Sequence, residues 1–245
     1  MPQKKIALIT GANKGIGFES ARQLGAHNVT IIVGARSDQK ASDAAAKLES
    51  EGIDAVPLKL DVSVDADWTA AAKFISNKFG KLDILINNAG IITGEPFFGN
   101  SASTVSADSL RAVYATNFIG LVGLTQALLP LIKKSEAGRI VNVTSILGSL
   151  TLNADPKAPI AGSKALGYNS TKAALNAFTI LLAAELKDTN IKVNSAHPGW
   201  VKTELGGEGA QLEISEGAKT QVALALLGPD GPTGTYTHLG QTLPW

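Results

Sequence analysis

The sequence predicts an α/β fold in which one doubly wound domain, residues 1–245, carries a parallel sheet with helices on both faces. Short apolar, β-branched runs alternate with helical segments from one end of the chain to the other. A glycine-rich turn follows the first apolar run directly. No linker, internal repeat or low-complexity tract divides the sequence.

Composition narrows the class of protein. Apolar residues make up 44% of the chain, and a net charge of +1 is scattered along it, so nucleic-acid binding is not expected. The lack of Cys excludes a disulfide scaffold, a thiolate metal site and a Cys nucleophile, and no metal site is predicted. The start, Met1 to Lys5, leads straight into a short apolar run, unlike a signal peptide. With no apolar run of membrane-spanning length, we expect a cytoplasmic protein.

The first strand and helix enclose a candidate phosphate site. Ile6–Ile9 reads as a strand buried on both faces, and a helix is predicted over Gly15–Ala26. Between them the spacing is Gly-x3-Gly-x-Gly, which lets backbone N–H groups approach a pyrophosphate at a helix N-terminus. A tight turn without a ligand has the same pattern. The candidate binding residues are Gly11, Asn13, Lys14, Gly15, Ile16 and Gly17.

The second strand, Val29–Val33, ends where a dinucleotide fold usually places an acid for the adenosine ribose. Arg36 and Ser37 stand there instead. Arg36, with Lys14, could pair with a 2′-phosphate, so the sequence predicts NADP(H) rather than NAD(H). Alternatively, Arg36 is a solvated loop cation and Asp38 takes the ribose.

The remaining elements follow the same alternation. We expect three loops at about 91–104, 146–167 and 200–214 to face the substrate. Further helices are predicted over Ser37–Glu51, Val64–Lys78, Ser106–Lys134 and Ser215–Leu227, and strands over Ala55–Leu60, Leu82–Ile86, Arg139–Ser145, Ile191–Ser195 and, at the sheet edge, Thr235–Leu239.

Several strand ends carry candidate site residues. Asp61, before Val62, either accepts from an adenine amino group or caps the next helix. Asn88, Ala89 and Gly90 suit a ligand crevice, although turn chemistry alone also explains them. Further candidates are Ser145 at the end of a strand and Asn117 inside a helix, whereas His197 beside a turn is interpreted as structural.

Tyr168 and Lys172 form an i, i+4 pair on a predicted helix, so both side chains lie on one face. A cation about 4 Å from the phenol favours phenolate by roughly 4 kcal/mol at an effective dielectric of about 20. We therefore expect Lys172 to lower the pKa of Tyr168 from about 10 toward neutrality. A Tyr and a Lys on an ordinary amphipathic helix would show the same spacing.

Taken in chain order, these motifs resemble the classical short-chain dehydrogenase/reductase family over nearly the whole chain. The resemblance implies a Rossmann fold and hydride transfer between a nicotinamide cofactor and an alcohol or carbonyl. It implies that Tyr168 is the general acid or base, that Lys172 lowers its pKa and binds the nicotinamide ribose, and that Ser145 hydrogen-bonds the substrate oxygen. The motifs are Thr10–Gly17, Asp61-Val62, Asn87–Gly90, Asn117, Ser145, Tyr168 with Lys172, and Pro198-Gly199.

The resemblance also implies finer roles. Asn117 would hold a water that links Lys172 to solvent, and Thr203 would contact the carboxamide, with Val201 beside it. Lys14 with Arg36 is similar to the NADPH-preferring carbonyl reductases of the family, so NADPH/NADP⁺ is the implied cofactor and a small carbonyl or alcohol the partner.

The sequence departs from the usual pattern of the family in two places, and both bear on the oligomeric state. Ser145 and Tyr168 are 23 positions apart (168 − 145), about twice the usual family spacing, which indicates an insertion within Leu150–Leu166. The final Leu243-Pro244-Trp245 lacks the family's usual Asp-Gly-Gly. Both favour a monomer or dimer over a tetramer. An epimerase or dehydratase of the same fold, or a non-catalytic NADPH sensor, is the alternative function.

Overall fold

In the computed structural model, which describes residues 4–245, a main sheet of eight strands and a separate two-stranded ribbon are formed. Residues 1–3, which belong to the segment that the sequence analysis compares with a signal peptide, lie outside the described residues. The strands are β1 (Ile6–Thr10), β2 (Thr30–Ala35), β3 (Ala55–Lys59), β4 (Ile84–Asn87), β5 (Gly99–Asn100), β6 (Arg139–Val143), β7 (Ser163–Lys164), β8 (Lys192–Ala196), β9 (Tyr236–His238) and β10 (Gln241–Thr242).

The strand order of the main sheet is β10-β9-β8-β6-β4-β1-β2-β3. The pairs from β3 to β9 are parallel, and β9 pairs with β10 in the antiparallel sense. The winding direction reverses between β1 and β4, so a crevice opens there at the carboxyl ends of the strands. This topology confirms the predicted doubly wound, Rossmann-like fold.

Helices cover both faces of the sheet. The helices are α1 (Gly15–Ala26), α2 (Asp38–Ser50), α3 (Asp65–Phe79), α4 (Ala107–Tyr114), α5 (Gly120–Ile132), α6 (Leu150–Ala154), α7 (Leu166–Glu185), α8 (Ile214–Gly217) and α9 (Lys219–Ala225).

Alternate strand residues serve two separate cores, as expected for a sheet that is buried on both faces. Leu8 packs with Leu124 of α5 and Leu175 of α7 on one face. Its neighbour Ile9 packs with Leu48 of α2 on the other. The long apolar stretch 107–132 therefore belongs largely to the protein core, although its length and composition alone would also suit a membrane span.

Two predicted elements differ from the structure. The helices predicted over Ser106–Lys134 are α4 and α5, joined by a π turn at Ala115–Ile119, whereas the helix predicted over Ser215–Leu227 is two short helices. Thr235–Leu239 is not an edge strand, because β10 pairs with the outer side of β9.

The segment between Ser145 and Tyr168 has more structure than its turn-forming residues indicate. It contains a 3₁₀ turn at Ile146–Gly148, then α6 and β7. Strand β7 pairs with β5, so the loops predicted at 91–104 and 146–167 are joined by a two-residue ribbon.

Candidate active site

The glycine turn after β1 has the geometry of an anion site. Gly11 and Gly15 both have positive φ, at 64° and 56°. A Cβ on Gly17 would lie 2.5 Å from the Gly11 carbonyl oxygen, so this close packing requires glycine. Lys14 precedes α1 without a side-chain cap, which leaves the amides of the first turn without helical partners. Backbone amides at such a terminus, with the helix dipole, favour a phosphate.

Asn88 connects this turn to the end of β4. Its Nδ2 donates to the carbonyl oxygen of Thr10 at 2.9 Å. In return, Thr10 Oγ1 accepts from the amides of Asn88 and Ala89, both at 2.9 Å. Asn88 and Ala89 therefore fix the two strand ends that border the crevice, and the turn-chemistry interpretation describes only part of their contacts.

The predicted 2′-phosphate corner lies at the end of β2. Arg36 is exposed there, and Ser37 caps α2 by accepting from the amide of Lys40 at 3.3 Å. Lys14 forms an ion pair with Glu204, a residue of the 200–214 loop. That pair could not be predicted from the sequence, because its members are 190 positions apart.

The side chain of Asp61 bonds to Ser63 and not to the amides that begin the next helix. Its Oδ1 accepts from the amide and the hydroxyl of Ser63, at 3.0 and 2.7 Å. Helix α3 begins at Asp65 after Val64, with no side-chain cap, so the expectation that Asp61 caps it is wrong. The short Asx turn with Ser63 competes with capping. Val62 lies beside it, buried in the core.

Ser145 is held against the helix that carries Tyr168. Its Oγ accepts from the amide of Leu147 at 3.2 Å and begins the 3₁₀ turn. Gly148 of that turn contacts α7 so closely that a Cβ would lie 2.7 Å from the carbonyl carbon of Lys172. Tyr236, which the sequence did not single out, donates from its hydroxyl to the Ser145 carbonyl oxygen at 2.7 Å.

Tyr168 and Lys172 lie on one buried face of α7. The exposed fractions are 7% for Tyr168 and 3% for Lys172, and the ammonium nitrogen lies 5.6 Å from the centre of the phenol ring. Lys172 Nζ donates to the carbonyl oxygen of Val143 at 2.9 Å. Both side chains therefore meet at the carboxyl end of β6, beside Ser145.

The pKa of Tyr168 differs from the expectation. Burial raises it to about 12, and the hydrogen bond with the Ser145 side chain only partly opposes this. Burial also lowers the pKa of Lys172 to about 8. The predicted fall of the Tyr168 pKa is therefore wrong for the protein without ligand, because removal of the phenol from water dominates the shift.

Asn117 lies in the π turn between α4 and α5, with no measurable exposure. Its amide binds Ile91 twice at 2.8 Å, accepting from the backbone N–H and donating to the carbonyl oxygen. A Cβ on Gly90 would lie 3.4 Å from Lys172 Nζ and 3.5 Å from Asn117 Oδ1. Segment 88–90 thus extends from the glycine turn to the Lys172 ammonium group.

The turn after β8 approaches the same glycines. Pro198 precedes Gly199, which has φ of 89°. Val201 is buried and pairs with Leu212, which closes the 200–214 loop at its base. Thr203 then lies above the glycine turn, with its methyl group 3.4 Å from where a Cβ of Gly15 would be.

His197, interpreted as structural, accepts at Nδ1 from the amides of Ile146 and Gly199, at 3.2 and 3.3 Å. Burial, and then the neighbouring His238, lowers its pKa to about 3, so the ring is neutral near pH 7. These contacts join the turns that follow β6 and β8.

Apolar side chains surround the phenol. Tyr168 packs in a small cluster separate from the two sheet cores, and all three predicted loops contribute to it. Its other members are Leu147, Ala158, Ile160 and Ala165, with Ile92, Phe97, Ile146, Leu152 and Leu205 partly buried around them. At the outer side, Trp200 stacks on Phe97 at 6.1 Å and meets Phe98 edge-on at 5.6 Å.

These residues fit a dinucleotide with its reactive end near Tyr168. The glycines leave space where Cβ atoms would intrude, both at Gly15 and at Gly90 beside Lys172. Within residues 4–245, no three His, Cys, Asp or Glu side chains come together as metal ligands.

Comparison with known proteins agrees with this geometry. A family model described as short chain dehydrogenase matches residues 5–211. Short-chain dehydrogenase anuI of Penicillium roqueforti is 39% identical over 92% of this chain and 90% of the relative. Carbonyl reductase [NADPH] 1 of Mus musculus is 30% identical over 99% of both chains.

A solved structure gives the same result. The NADPH-bound carbonyl reductase from chicken fatty liver superposes with a TM-score of 0.86 at 28% identity, covering 99% of this chain and all of that one. Since the family model and relatives above 30% identity extend along most of its length, the chain belongs to the short-chain dehydrogenase family of oxidoreductases.

Proposed function

We propose that this protein is an NADPH-dependent carbonyl reductase or ketoreductase that reduces a ketone or aldehyde, with Tyr168 as the general acid. One observation carries the proposal: the phenol of Tyr168 and the hydroxyl of Ser145 meet in an apolar cluster, beside a buried Lys172. Two neutral donors at one point suit a carbonyl oxygen on which negative charge grows.

The protonation of Tyr168 supports the role of acid. A phenol with a pKa near 12 carries its proton at neutral pH, which is the form that a general acid needs, although a pKa nearer the working pH would make it a stronger donor. Ser145 has little freedom, because its Oγ is bound to the 3₁₀ turn and its carbonyl to Tyr236. Lys172 and Asn117 would hold the acid and the ribose in place and return a proton from solvent.

The cofactor proposal depends on the residues around the crevice. The bound nicotinamide would supply the hydride. The amides of Gly15, Ile16 and Gly17 would bind the pyrophosphate, with Gly11 and Asn13 shaping the turn. Asn88, Ala89 and Gly90 would line the ribose, Asp61 and Val62 the adenine, and Pro198, Gly199, Val201 and Thr203 the carboxamide.

Arg36, Ser37 and Lys14 would take the 2′-phosphate of NADPH. Arg36 is exposed, whereas Lys14 would have to exchange Glu204 for the phosphate. Carbonyl reductase [NADPH] 1 and the NADPH-bound chicken enzyme are similar to this chain along almost all its length, which supports the same preference.

The substrate pocket favours an apolar ketone. Residues from all three loops surround Tyr168 with hydrocarbon, and Phe97, Phe98 and Trp200 form an aromatic edge at the outer side. A bulky or aromatic ketone would bury its surface there. We propose that the whole chain acts as one cytoplasmic domain, as a monomer or dimer.

A steady-state assay tests the function. The protein is incubated with NADPH and a panel of aromatic, aliphatic and cyclic ketones and aldehydes. Oxidation of NADPH is followed by the loss of absorbance of its reduced nicotinamide ring. We expect turnover with bulky apolar ketones. Tight NADPH binding without turnover of any member would indicate the sensor alternative.

Replacing Arg36 by Asp tests the cofactor preference. A charge-assisted bond to a phosphate contributes about 1.5–3 kcal/mol, so we expect the KM for NADPH to rise about 10- to 100-fold. The KM for NADH should change by less than about threefold, since NADH lacks the 2′-phosphate. Arg111→Asp, the same charge change at another exposed site, should alter neither. An unchanged KM for NADPH in Arg36→Asp would refute the phosphate role.

A further inference from the structure

Helix α7, which carries Tyr168, begins without a cap of its own. Ala165 occupies the N-cap position and has no side-chain hydrogen-bonding group, and the first turn contains no acidic residue. The first amides of a helix have no partner within it. At this terminus those amides belong to Leu166, Gly167 and Tyr168 itself.

All three amides are bound by side chains of the distant 91–104 loop. Glu95 accepts from the amide of Gly167 with both carboxylate oxygens, at 3.0 and 2.9 Å, and from the amide of Tyr168 at 3.3 Å. Ser101 accepts from the amide of Leu166 at 3.0 Å. The Ser101 hydroxyl in turn donates to Glu95 at 2.5 Å, which joins the two caps.

The backbone is shaped for this contact. A Cβ on Gly167 would lie 2.6 Å from Glu95 Oε2, so a side chain at 167 would displace the carboxylate from the helix. Gly94, directly before Glu95, has φ of 68°, and a Cβ there would lie 1.9 Å from Ser109 Oγ. The positive φ of Gly94 favours glycine, and glycine at 167 leaves the space that the Glu95 carboxylate occupies.

The same loop is also joined to the segment that enters α7. Strand β5 pairs with β7, and the amide of Ser101 donates to the carbonyl oxygen of Lys164 at 3.2 Å. Phe97 and Phe98 lie between Glu95 and this ribbon in the sequence and contact Trp200. One short segment therefore provides both the aromatic edge of the pocket and the cap of the catalytic helix.

We propose that Glu95 is a positioning residue for Tyr168. Together with Ser101 it docks the 91–104 loop onto the first turn of α7 and fixes the backbone from which the phenol reaches Ser145. A carboxylate at a helix N-terminus also interacts favourably with the helix dipole. The proposal rests on the proposed role of Tyr168 as general acid.

The first test compares Glu95→Ala with Glu95→Gln. Loss of the cap should let Tyr168 shift, and a misplacement of about 1 Å costs up to about 100-fold in rate, so we expect kcat to fall about 30- to 100-fold in Glu95→Ala. The affinity for NADPH should stay within about twofold, because Glu95 does not contact the phosphate turn. Glu95→Gln keeps one acceptor oxygen and should recover most of kcat.

Amide hydrogen exchange gives a readout that does not depend on turnover. In Glu95→Ala, protection should fall at Gly167 and Tyr168 but not in the second half of α7. Ser106→Ala is the matched control, because it removes a side-chain cap from α4, where Ser106 accepts from the amide of Ser109 at 3.0 Å. That variant should retain its activity.

Gly167→Ala provides a second, independent arm. In the wild-type background the new methyl group should displace Glu95 and lower kcat. In Glu95→Ala the same change should leave kcat unchanged or raise it, because Ala favours helix more than Gly. This reversal is expected only if the two residues act through their contact.

Wild-type kcat and exchange rates in Glu95→Ala, with at most a lower Tm, would overturn the proposal. So would an equal effect of Gly167→Ala in both backgrounds. If the wild-type protein reduces no carbonyl at all, the proposed function fails, while the exchange rates at Gly167 and Tyr168 still decide whether Glu95 holds the turn.

Discussion

Tyr168→Phe is expected to lower kcat for ketone reduction about 1,000-fold, within the range of roughly 10²–10⁴ contributed by a positioned general acid. The substitution removes the proton donor and one of the two hydrogen bonds to the developing oxyanion. It leaves the ring in its apolar cluster, so folding and NADPH affinity should change little. Stopped-flow hydride transfer and fluorescence titration with NADPH measure the two effects separately.

Tyr114→Phe is the matched control for this change. Tyr114 ends α4, and its ring packs edge-on against Phe118 with the ring centres 6.4 Å apart. It should retain wild-type turnover. A Tyr168→Phe protein with near-normal kcat would end the proposed mechanism.

Lys172→Met is expected to abolish most activity while making the ligand-free protein more stable. Burial holds the pKa of Lys172 near 8 instead of 10.5, which costs the folded state about 3 kcal/mol at neutral pH. Met fits the apolar surroundings but leaves the Val143 carbonyl without its donor, at a cost of about 1–2 kcal/mol. The net gain in unfolding free energy should therefore be about 1–2 kcal/mol at pH 7.

The pH dependence of this gain has a definite sign. Between pH 8 and 10.5 the unfolded chain keeps a proton on Lys172 that the folded chain has released, so wild-type stability rises with pH relative to Lys172→Met. Below pH 8 both states are protonated and the difference is constant. The advantage of the variant should thus shrink above pH 8 and vanish or reverse near pH 10.

Urea unfolding at about pH 7, 9 and 10 measures the difference in unfolding free energy between wild type and Lys172→Met. These values lie below and above the Lys172 pKa of about 8. Lys187→Met, an exposed position just beyond the end of the same helix, should change neither stability nor turnover. A Lys172→Met protein that is less stable than wild type at pH 7 would contradict this prediction. It would show that more than the hydrogen bond to Val143 stabilises the buried ammonium group.

Local patterns were sufficient to predict much of the site. The Tyr168–Lys172 pair depends only on helical spacing, and the glycine turn on adjacent residues, so both could be read from short stretches of sequence. The parallel sheet with helices on both faces follows from the continuous alternation of strands and helices. The short β10 shows no periodicity in the sequence, so the prediction that Thr235–Leu239 forms the edge strand is wrong.

Contacts between distant segments could not be predicted in this way. Glu95 and Gly167 are 72 positions apart, and Tyr236 reaches Ser145 across 91. The direction of the Tyr168 pKa shift cannot be predicted for a related reason. Burial depends on all the elements packed around a group, whereas the sequence shows only Lys172 beside Tyr168.

The ribbon formed by β5 and β7 has a consequence for how the substrate pocket of this chain could be redesigned. Because the two strands pair with each other, the 91–104 loop and the 146–167 segment are joined through their backbones. If only one of them were exchanged for the corresponding segment of a relative, the backbone N–H and C=O groups of the other would lose their hydrogen-bond partners. New substrate preferences in this chain should therefore be introduced by transplanting both segments together, or by changing side chains and leaving the paired backbone alone.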